Sequence, residues 1–224
     1  MKIPYPVKCN SCNTKTTYMV NAEDWDFNFQ CKCGSFQLMF IQTNIFLSKK
    51  FLLRSQFELN ENKDFSFSII LSAIAIEAEL ARLYRKWRKT EALKNKILLK
   101  NHELEEELRK QSSILNKIKI TSSLMIEGGV DTFVKNNHNI NGLIKEGYPS
   151  IKLNTFSKSI QELIFYTRNR ILHMGRTNYT EEDALRIWNL SLLFIFVLQE
   201  IDKLKKGHLT RRFIVHSKGS CNST

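Results

Sequence analysis

Four of the five cysteines lie in two close pairs near the start of the chain. Cys9 and Cys12 form a C-x2-C pair, and after 18 intervening residues Cys31 and Cys33 form a C-x-C pair followed by Gly34. Tetrahedral zinc is held by two such pairs, each on a tight turn, and Gly34 can take the positive φ that such a turn needs. A closed four-cysteine site has no free coordination position, so we expect a structural Zn²⁺. Two disulfides or four unrelated thiols are the alternatives.

A second candidate site lies in the segment TRNRILHMG, which contains Arg168, Asn169 and His173. Imidazole can exchange a proton near neutral pH, and a guanidinium binds phosphate oxygens through paired hydrogen bonds. The Arg-x4-His spacing recurs between Arg211 and His216, but that copy runs into a polar terminus. The first copy lies on a predicted amphipathic helix, which makes it the better candidate.

The predicted helix around Arg168 has two different faces. At about 100° per residue, one apolar stripe should pack on the chain's own core, and Arg168, Asn169 and His173 fall opposite to it together with Phe165 and Leu172. An apolar face that carries Arg and His favours burial against a second copy of the chain. The alternative is an ordinary solvent-exposed surface. The core stripe consists of Phe156, Ile160, Leu163, Ile164, Thr167 and Ile171.

Glu77 is predicted to lie within the apolar stripe of an earlier helix, SIILSAIAIEAELARLYRKW, whereas Glu79 is predicted to face solvent. A carboxylate on a core face needs a cationic or hydrogen-bonding partner, because burying it unpaired is very costly. Arg168 or His173 could serve. The alternatives are a Glu77 that reaches solvent at the edge of the stripe, or one that pairs with a nearby Arg or Lys.

The chain has 224 residues, 42% of them apolar, with only 8 Gly and 3 Pro, which is the composition of a folded protein. Its 34 basic and 22 acidic residues give a net charge of +12, which favours a polyanionic partner such as nucleic acid or an anionic membrane face. The longest uncharged stretch, Ile187–Gln199, is too short to span a bilayer. We therefore expect a cytoplasmic protein without a membrane partner.

The pattern changes near residue 64. Short strands are predicted at Thr16–Val20, Phe27–Cys31 and Phe36–Ile41, and helical patterns dominate downstream. The predicted organisation is a small β-rich metal module at 1–46, a linker at 47–64, an α-helical domain at 65–210 and a basic, flexible tail at 211–224.

The helical domain can be divided by its turn signals. The stretch 65–111 is predicted as one long helix or two joined near Thr90, followed by a weaker helix to Glu127 and a turn at Gly128-Gly129. The segment 136–154 is predicted as a loop with at most a short helix. We expect a helix over Asn154–Met174 that ends at Gly175, and a last helix that is capped by Thr180 and Asp183 and ends near Lys206.

Basic residues with interleaved aromatics suit an RNA backbone and its unstacked bases. Tyr84 and Trp87 lie among the basic residues of one helix, within positions 82–89. The alternative is that these two rings belong to the core while the cations form a solvated face. The predicted RNA-binding residues are Arg82, Arg85, Lys86, Arg88 and Lys89 on one helix, and Arg170 and Arg176 near His173.

Two resemblances follow from these motifs. Residues 5–42 resemble a zinc ribbon. The sequence RNRILHMG, before a final apolar helix and after a helix of the AIEAEL type, resembles the HEPN (higher eukaryotes and prokaryotes nucleotide-binding) family over about residues 65–205. This resemblance implies a bundle of four or five helices and a homodimer in which the Arg/His motifs meet. It also implies metal-independent RNA cleavage, with Arg168 and His173 catalytic and Asn169 and Glu77 supporting.

Such cleavage would leave a 2′,3′-cyclic phosphate and a 5′-hydroxyl, with His173 as general base or acid and Arg168 stabilising the charged phosphorane. The resemblance also implies a toxin or antiviral effector that an antitoxin or another regulatory protein controls. The alternative is a non-catalytic module that binds nucleic acid or protein. A DNA-binding regulator is a third and weaker interpretation, because no helix-turn-helix pattern stands out.

Overall fold

The computed structural model describes residues 2–9, 11–21, 31–34, 38–40 and 47–218. The chain is mainly helical, which confirms the predicted fold class at this level. The predicted strand Phe27–Cys31 lies outside the described residues except for Cys31, and the N-terminal module is therefore described only in part.

Three N-terminal strands form an antiparallel sheet in the order β2-β1-β3. They are β1 (Lys2–Cys9), β2 (Lys15–Asn21) and β3 (Leu38–Phe40). Within the described residues, β1 pairs with β3 only over Val7–Cys9. Pro4 and Pro6 therefore lie in the part of β1 that has a single described neighbour, where a missing N–H can be tolerated.

The segment 47–64 is helical, so the prediction of a linker is wrong. Helix α1 (Leu47–Phe57) continues into a π-helical turn, Glu58–Asn62. Leu52 and Leu59 are buried, and Ser55 Oγ donates to the Ser68 carbonyl oxygen at 2.8 Å. Two of the three buried residues of α1 are serines, Ser48 and Ser55. The apolar periodicity of the segment is therefore weak, and the sequence did not indicate an amphipathic helix.

Helix α2 (Phe65–Lys94) is the centre of the bundle and packs against α1 on one side and α9 (Glu181–Lys218) on another. Its fully buried face includes Ile69, Ile76 and Leu80. On the far side of the core, the rings of Phe156 and Phe194 lie 5.8 Å apart. The helices after α1 are α2 (Phe65–Lys94), α3 (Asn101–Arg109), α4 (Ile114–Ser123), α5 (Gly129–Asn136), α6 (His138–Gly147), α7 (Phe156–Ile160), α8 (Tyr166–Met174) and α9 (Glu181–Lys218).

Most of the predicted turn signals are confirmed. Gly128 and Gly129 have φ of 73° and 70°, and Gly175 ends α8 with φ of 61°. Thr180 and Asp183 cap α9 reciprocally, because the Asp183 N–H donates to Thr180 Oγ1 at 3.2 Å and the Thr180 N–H donates to Asp183 Oδ2 at 3.1 Å. These caps fix where α8 ends and where α9 begins.

Three boundaries differ from the prediction. The first long helix breaks after Lys94 rather than at Thr90, and α6 is a helix of 10 residues within the segment predicted mainly as loop. Helix α9 runs to Lys218 rather than ending near Lys206, so much of the predicted flexible tail is helical. A π-helical turn, Gln161–Phe165, joins α7 to α8 inside the helix predicted over Asn154–Met174.

Among the described residues, the segment Glu181–Gly207 of α9 is long and apolar enough to cross a membrane by length and composition. Half of its most apolar window is buried inside the fold, and Leu190, Phe194 and Leu198 lie in the core. Core helices of soluble proteins have the same character, and the fold is compatible with such a protein.

Candidate functional site

Arg168 on α8 and Glu77 on α2 form an ion pair across the interface of these two helices. Arg168 Nη2 donates to Glu77 Oε1 at 3.2 Å, and the side chains are 21% and 34% exposed, respectively. The sequence left open whether Glu77 pairs with Arg168 or His173, pairs with a nearby Arg or Lys, or reaches solvent at the edge of its stripe. In the structure, the partner of Glu77 is Arg168.

A contact with an aromatic ring also holds the Arg168 guanidinium in place. Its Cζ lies 5.7 Å from the centroid of the Phe165 ring, and Phe165 is buried. The Nε atom is buried and has no hydrogen-bond partner within the described residues. A buried donor without a partner is costly, so this part of the guanidinium is held in place by packing and not by a hydrogen bond.

His173 and Asn169 lie on an exposed stripe of α8. Both side chains are exposed, as is Arg170, and Tyr166 is 53% exposed one helical turn before Asn169. Residues spaced three and four apart share one side of a helix, so these four form a single open surface. Tyr166 was missed in the sequence analysis, although its spacing from Asn169 and His173 would have placed it here.

The chain by itself does not bring Arg168 and His173 together. Five helical positions turn the side-chain direction by about 140° and advance it by about 7.5 Å along the axis. Arg168 accordingly points to α2, whereas His173 is open to solvent and makes no hydrogen bond or ion pair with any described residue. A site that uses both groups on one phosphate therefore needs a second chain or a substrate that spans the helix.

Glu79, rather than Glu77, is the fully buried carboxylate of α2, so the prediction that it faces solvent is wrong. Arg82 Nη2 donates to Glu79 Oε1 at 2.6 Å, and Ser48 Oγ donates to Glu79 Oε2 at 2.8 Å. Gln199 on α9 donates to the same carboxylate at 3.3 Å. Glu79 therefore ties α1, α2 and α9 together, and its role is structural.

Replacing Glu79 with alanine should lower the free energy of unfolding by about 2 to 4 kcal/mol, because Arg82 and Ser48 lose their buried acceptor. Glu77→Ala should cost about 1 kcal/mol or less, since the Glu77–Arg168 pair is partly exposed. Urea denaturation followed by far-UV circular dichroism compares the two variants. Equal losses would contradict the different burial of these carboxylates.

The cations of α2 that were predicted to bind RNA are mostly neutralised within the fold. Their partners are acids on α2, α3 and α9, which lowers the positive potential of this surface. Lys89 is the exception, since it forms no ion pair with any residue in the described part of the chain. Ion pairs join Arg82 to Glu79, Arg85 to Glu105, Lys86 to Asp202, and Arg88 to Glu91 and Glu107.

Tyr84 and Trp87 belong to the core, as the alternative interpretation held. They are 6% and 4% exposed. Trp87 Nε1 donates to Asp202 at 2.7 Å, and the Tyr84 hydroxyl donates to Glu107 at 2.8 Å. Burial and the adjacent Glu107 carboxylate raise the pKa of Tyr84 to about 12. Neither ring is available for stacking on a base.

Arg170 and Arg176 are the predicted RNA-binding cations nearest to His173 in sequence. Both are exposed, and neither forms an ion pair with another residue that the structure describes. The positive charge available next to His173 therefore comes from α8 and the residues just after it, rather than from α2.

The four cysteines predicted to bind metal lie together and could hold a metal ion. All four sulfur atoms lie within 4.8 Å of one another, and the Cys9–Cys33 and Cys12–Cys31 Sγ distances are both 3.6 Å. Four sulfurs that bind zinc at about 2.3 Å would be about 3.8 Å apart. The donor set and spacing therefore fit a tetrahedral metal ion.

Both cysteine pairs lie on turns of the same design. The residue after each second cysteine has a left-handed backbone, with φ of 59° at Asn13 and 85° at Gly34, as predicted for Gly34. The Cys12 backbone N–H donates to the Cys9 sulfur and lowers the pKa of Cys9 to about 6. A thiolate near neutral pH is the form that binds a metal cation.

No family model, curated protein or solved structure matches this chain. The assignment of function therefore depends on the residues and geometry described above.

Proposed function

We propose that this chain is a metal-independent endoribonuclease of the HEPN type, which acts in the cytoplasm as a homodimer. The observation that carries the proposal is the arrangement on α8. Arg168 is fixed by Glu77 and remains 21% exposed, while His173 and Asn169 are presented to solvent on the same helix. A bundle that needed α8 only for packing would have no use for this combination.

Each residue has a role that suits its environment. His173 takes the proton of the RNA 2′-hydroxyl or protonates the leaving 5′-oxygen, since imidazole is the side chain best suited to both near neutral pH. Arg168 stabilises the charge that develops on the phosphorane, and Glu77 positions Arg168. Asn169 orients the phosphate or the imidazole, and Arg170 and Arg176 attract the RNA backbone.

A dimer would supply the second chain that a site with both Arg168 and His173 needs. Leu172 and Met174 are 51% and 69% exposed beside His173, and exposed apolar side chains of this size favour burial against a partner. A two-fold contact along α8 would bring Arg168 of one copy towards His173 of the other.

Uncontrolled RNA cleavage would arrest growth, so we infer a toxin or antiviral effector that a cognate antitoxin or regulatory protein restrains.

The experiment that tests this proposal uses end-labelled RNA and the purified chain in excess EDTA. We expect cleavage that leaves a 2′,3′-cyclic phosphate and a 5′-hydroxyl. A single 2′-deoxynucleotide at the cleaved position should block it, because the 2′-oxygen is the nucleophile. Cleavage that requires Mg²⁺, or no cleavage of several RNAs by a protein shown to be dimeric by sedimentation, would contradict the proposal.

We also propose that the cysteine cluster holds a structural Zn²⁺ within a zinc-ribbon module. The purified chain should contain about one zinc ion per chain, and Cys12→Ser with Cys33→Ser should reduce this to near zero, since structural sites use all four ligands. Cys221→Ser is the matched control and should keep the metal. Metal content measured by atomic emission checks this, and full zinc retention by the double variant would contradict it.

A further inference from the structure

The tip of the hairpin formed by α2 and α3 exposes three large aliphatic side chains. Leu93, Ile97 and Leu98 are 59%, 52% and 85% exposed. Leu93 lies in the last turn of α2, and the other two lie between the end of α2 at Lys94 and the start of α3 at Asn101. Soluble proteins bury most side chains of this kind. Such a cluster at one end of a hairpin is typical of a contact surface.

This tip has a defined backbone. The Ile97 N–H donates to the Ala92 carbonyl oxygen at 2.9 Å, and the Lys96 N–H donates to the Leu93 carbonyl oxygen at 3.1 Å. Lys96 itself has φ of 58°. Together these are the two hydrogen bonds and the left-handed residue of a Schellman motif, which closes a helix C-terminus. The aliphatic side chains are therefore presented by a fixed turn.

The same tip is basic and largely without neutralising partners. Lys89, Lys94, Lys96 and Lys100 form no ion pair with any residue of the described chain, in contrast to the arginines further back on α2. The nearest acids are engaged elsewhere: Glu91 pairs with Arg88, and Glu103 accepts the Lys100 backbone N–H at 2.7 Å.

We propose that this tip docks on an anionic lipid surface, with Leu98 and its aliphatic neighbours inserted below the headgroups and the lysines among the lipid phosphates. Lysine stems can lie along apolar surface while their ammonium groups stay in the polar layer, and basic segments are attracted to anionic leaflets. The net charge of +12 is compatible with such a partner. This inference does not depend on the proposed nuclease activity.

The composition of the tip suits a lipid surface better than it suits RNA or a protein partner. The segment 89–100 contains no aromatic residue, so it offers no stacking platform for bases, and three exposed aliphatic side chains contribute nothing to phosphate binding. Protein interfaces are enriched in aromatic residues, Met and Arg and depleted in Lys, which is the opposite of this composition. The sequence-based expectation of no membrane partner rested on the lack of a spanning segment, and a peripheral contact of this kind needs none.

The test is flotation of the full, RNA-free chain with vesicles of phosphatidylcholine alone or with one third phosphatidylglycerol. We expect binding to the anionic vesicles only, weakened by high salt. Leu98→Ser, which changes no charge, should weaken binding by about tenfold. Lys94→Gln with Lys96→Asn should weaken it by about 25-fold, at about fivefold per lysine; asparagine tolerates the left-handed backbone at position 96.

Matched controls come from α6 and its neighbour α5. Leu143 is 50% exposed, so Leu143→Ser removes an exposed leucine elsewhere, and Lys135→Gln with Lys145→Gln removes two exposed lysines. Both controls should bind like the parent. The proposal is overturned if the parent fails to bind anionic vesicles, if Leu98→Ser binds equally well, or if the control variants lose as much affinity as the tip variants.

Discussion

Replacing His173 with alanine is expected to slow RNA cleavage by about a hundred- to ten-thousandfold, the range that a general acid or base contributes. The free energy of unfolding should change by no more than about 0.5 kcal/mol, as for other surface substitutions. The side chain is exposed and makes no hydrogen bond with the described residues, so its removal leaves no unpaired group. The rate with labelled RNA in EDTA measures the effect.

His102 provides a matched control, because it is also exposed and lies on a different helix, α3. His102→Ala should cleave RNA at the parent rate. His173→Ala should still bind an RNA that carries a 2′-deoxynucleotide at the cleaved position, since Arg168 and Arg170 remain. Parent-like cleavage by His173→Ala, or equal losses in both variants, would remove His173 from the mechanism.

The sequence was enough to propose the pairing of Arg168 with Glu77, but it was not enough to predict the burial of Glu79. Glu77 lies within an apolar stripe of α2, so the sequence predicted that it needs a cationic partner, and Arg168 was one of the candidates. The prediction that Arg168 and Phe165 face away from the core was wrong, because Arg168 contacts α2 and Phe165 is buried. Glu79 is buried because α1 covers a second face of α2. Helix α1 was not predicted, since two of its three buried residues, Ser48 and Ser55, are polar and bond to side chains of α2.

The neutralisation of the α2 cations by acidic side chains also could not be predicted without the tertiary structure. Glu105 and Asp202 lie far along the chain from Arg85 and Lys86, and no local pattern links them. Composition counts charges without regard to their partners, so it predicts a basic helix where the fold forms a set of ion pairs. Free positive charge remains near His173 and at the tip of the α2–α3 hairpin.

The cysteine cluster is the part of the molecule that local sequence predicts best. Two short-range pairs and a following Gly34 are enough to predict the turns, and the expectation that all four sulfurs share one metal ion predicts the long-range contact between the pairs. The Arg/His site is the opposite case. Its spacing is local, but the partner that completes it would come from another copy of the chain.

Replacing Arg168 with lysine should reduce cleavage by about a hundred- to a thousandfold, as expected when one donor to a developing oxyanion is lost, because lysine lacks the planar fork of arginine. Arg170→Lys is the control: it keeps the charge at an exposed position without an ion pair to any described residue, and its rate should fall by no more than about threefold. Similar losses in the two variants would indicate that Arg168 contributes charge alone.

Mixing the two inactive variants separates a composite site from a site within one chain. If each site takes Arg168 from one protomer and His173 from the other, a dimer of Arg168→Lys with His173→Ala has one intact site and one doubly damaged site. Half of the dimers in an equal, re-equilibrated mixture are of this kind, so about a quarter of the parent activity should return. If both residues came from the same protomer, every site would carry one substitution and none would recover. The turn of about 140° between the two side chains on α8 favours the first outcome, and a mixture that stays inactive although sedimentation shows subunit exchange would contradict it.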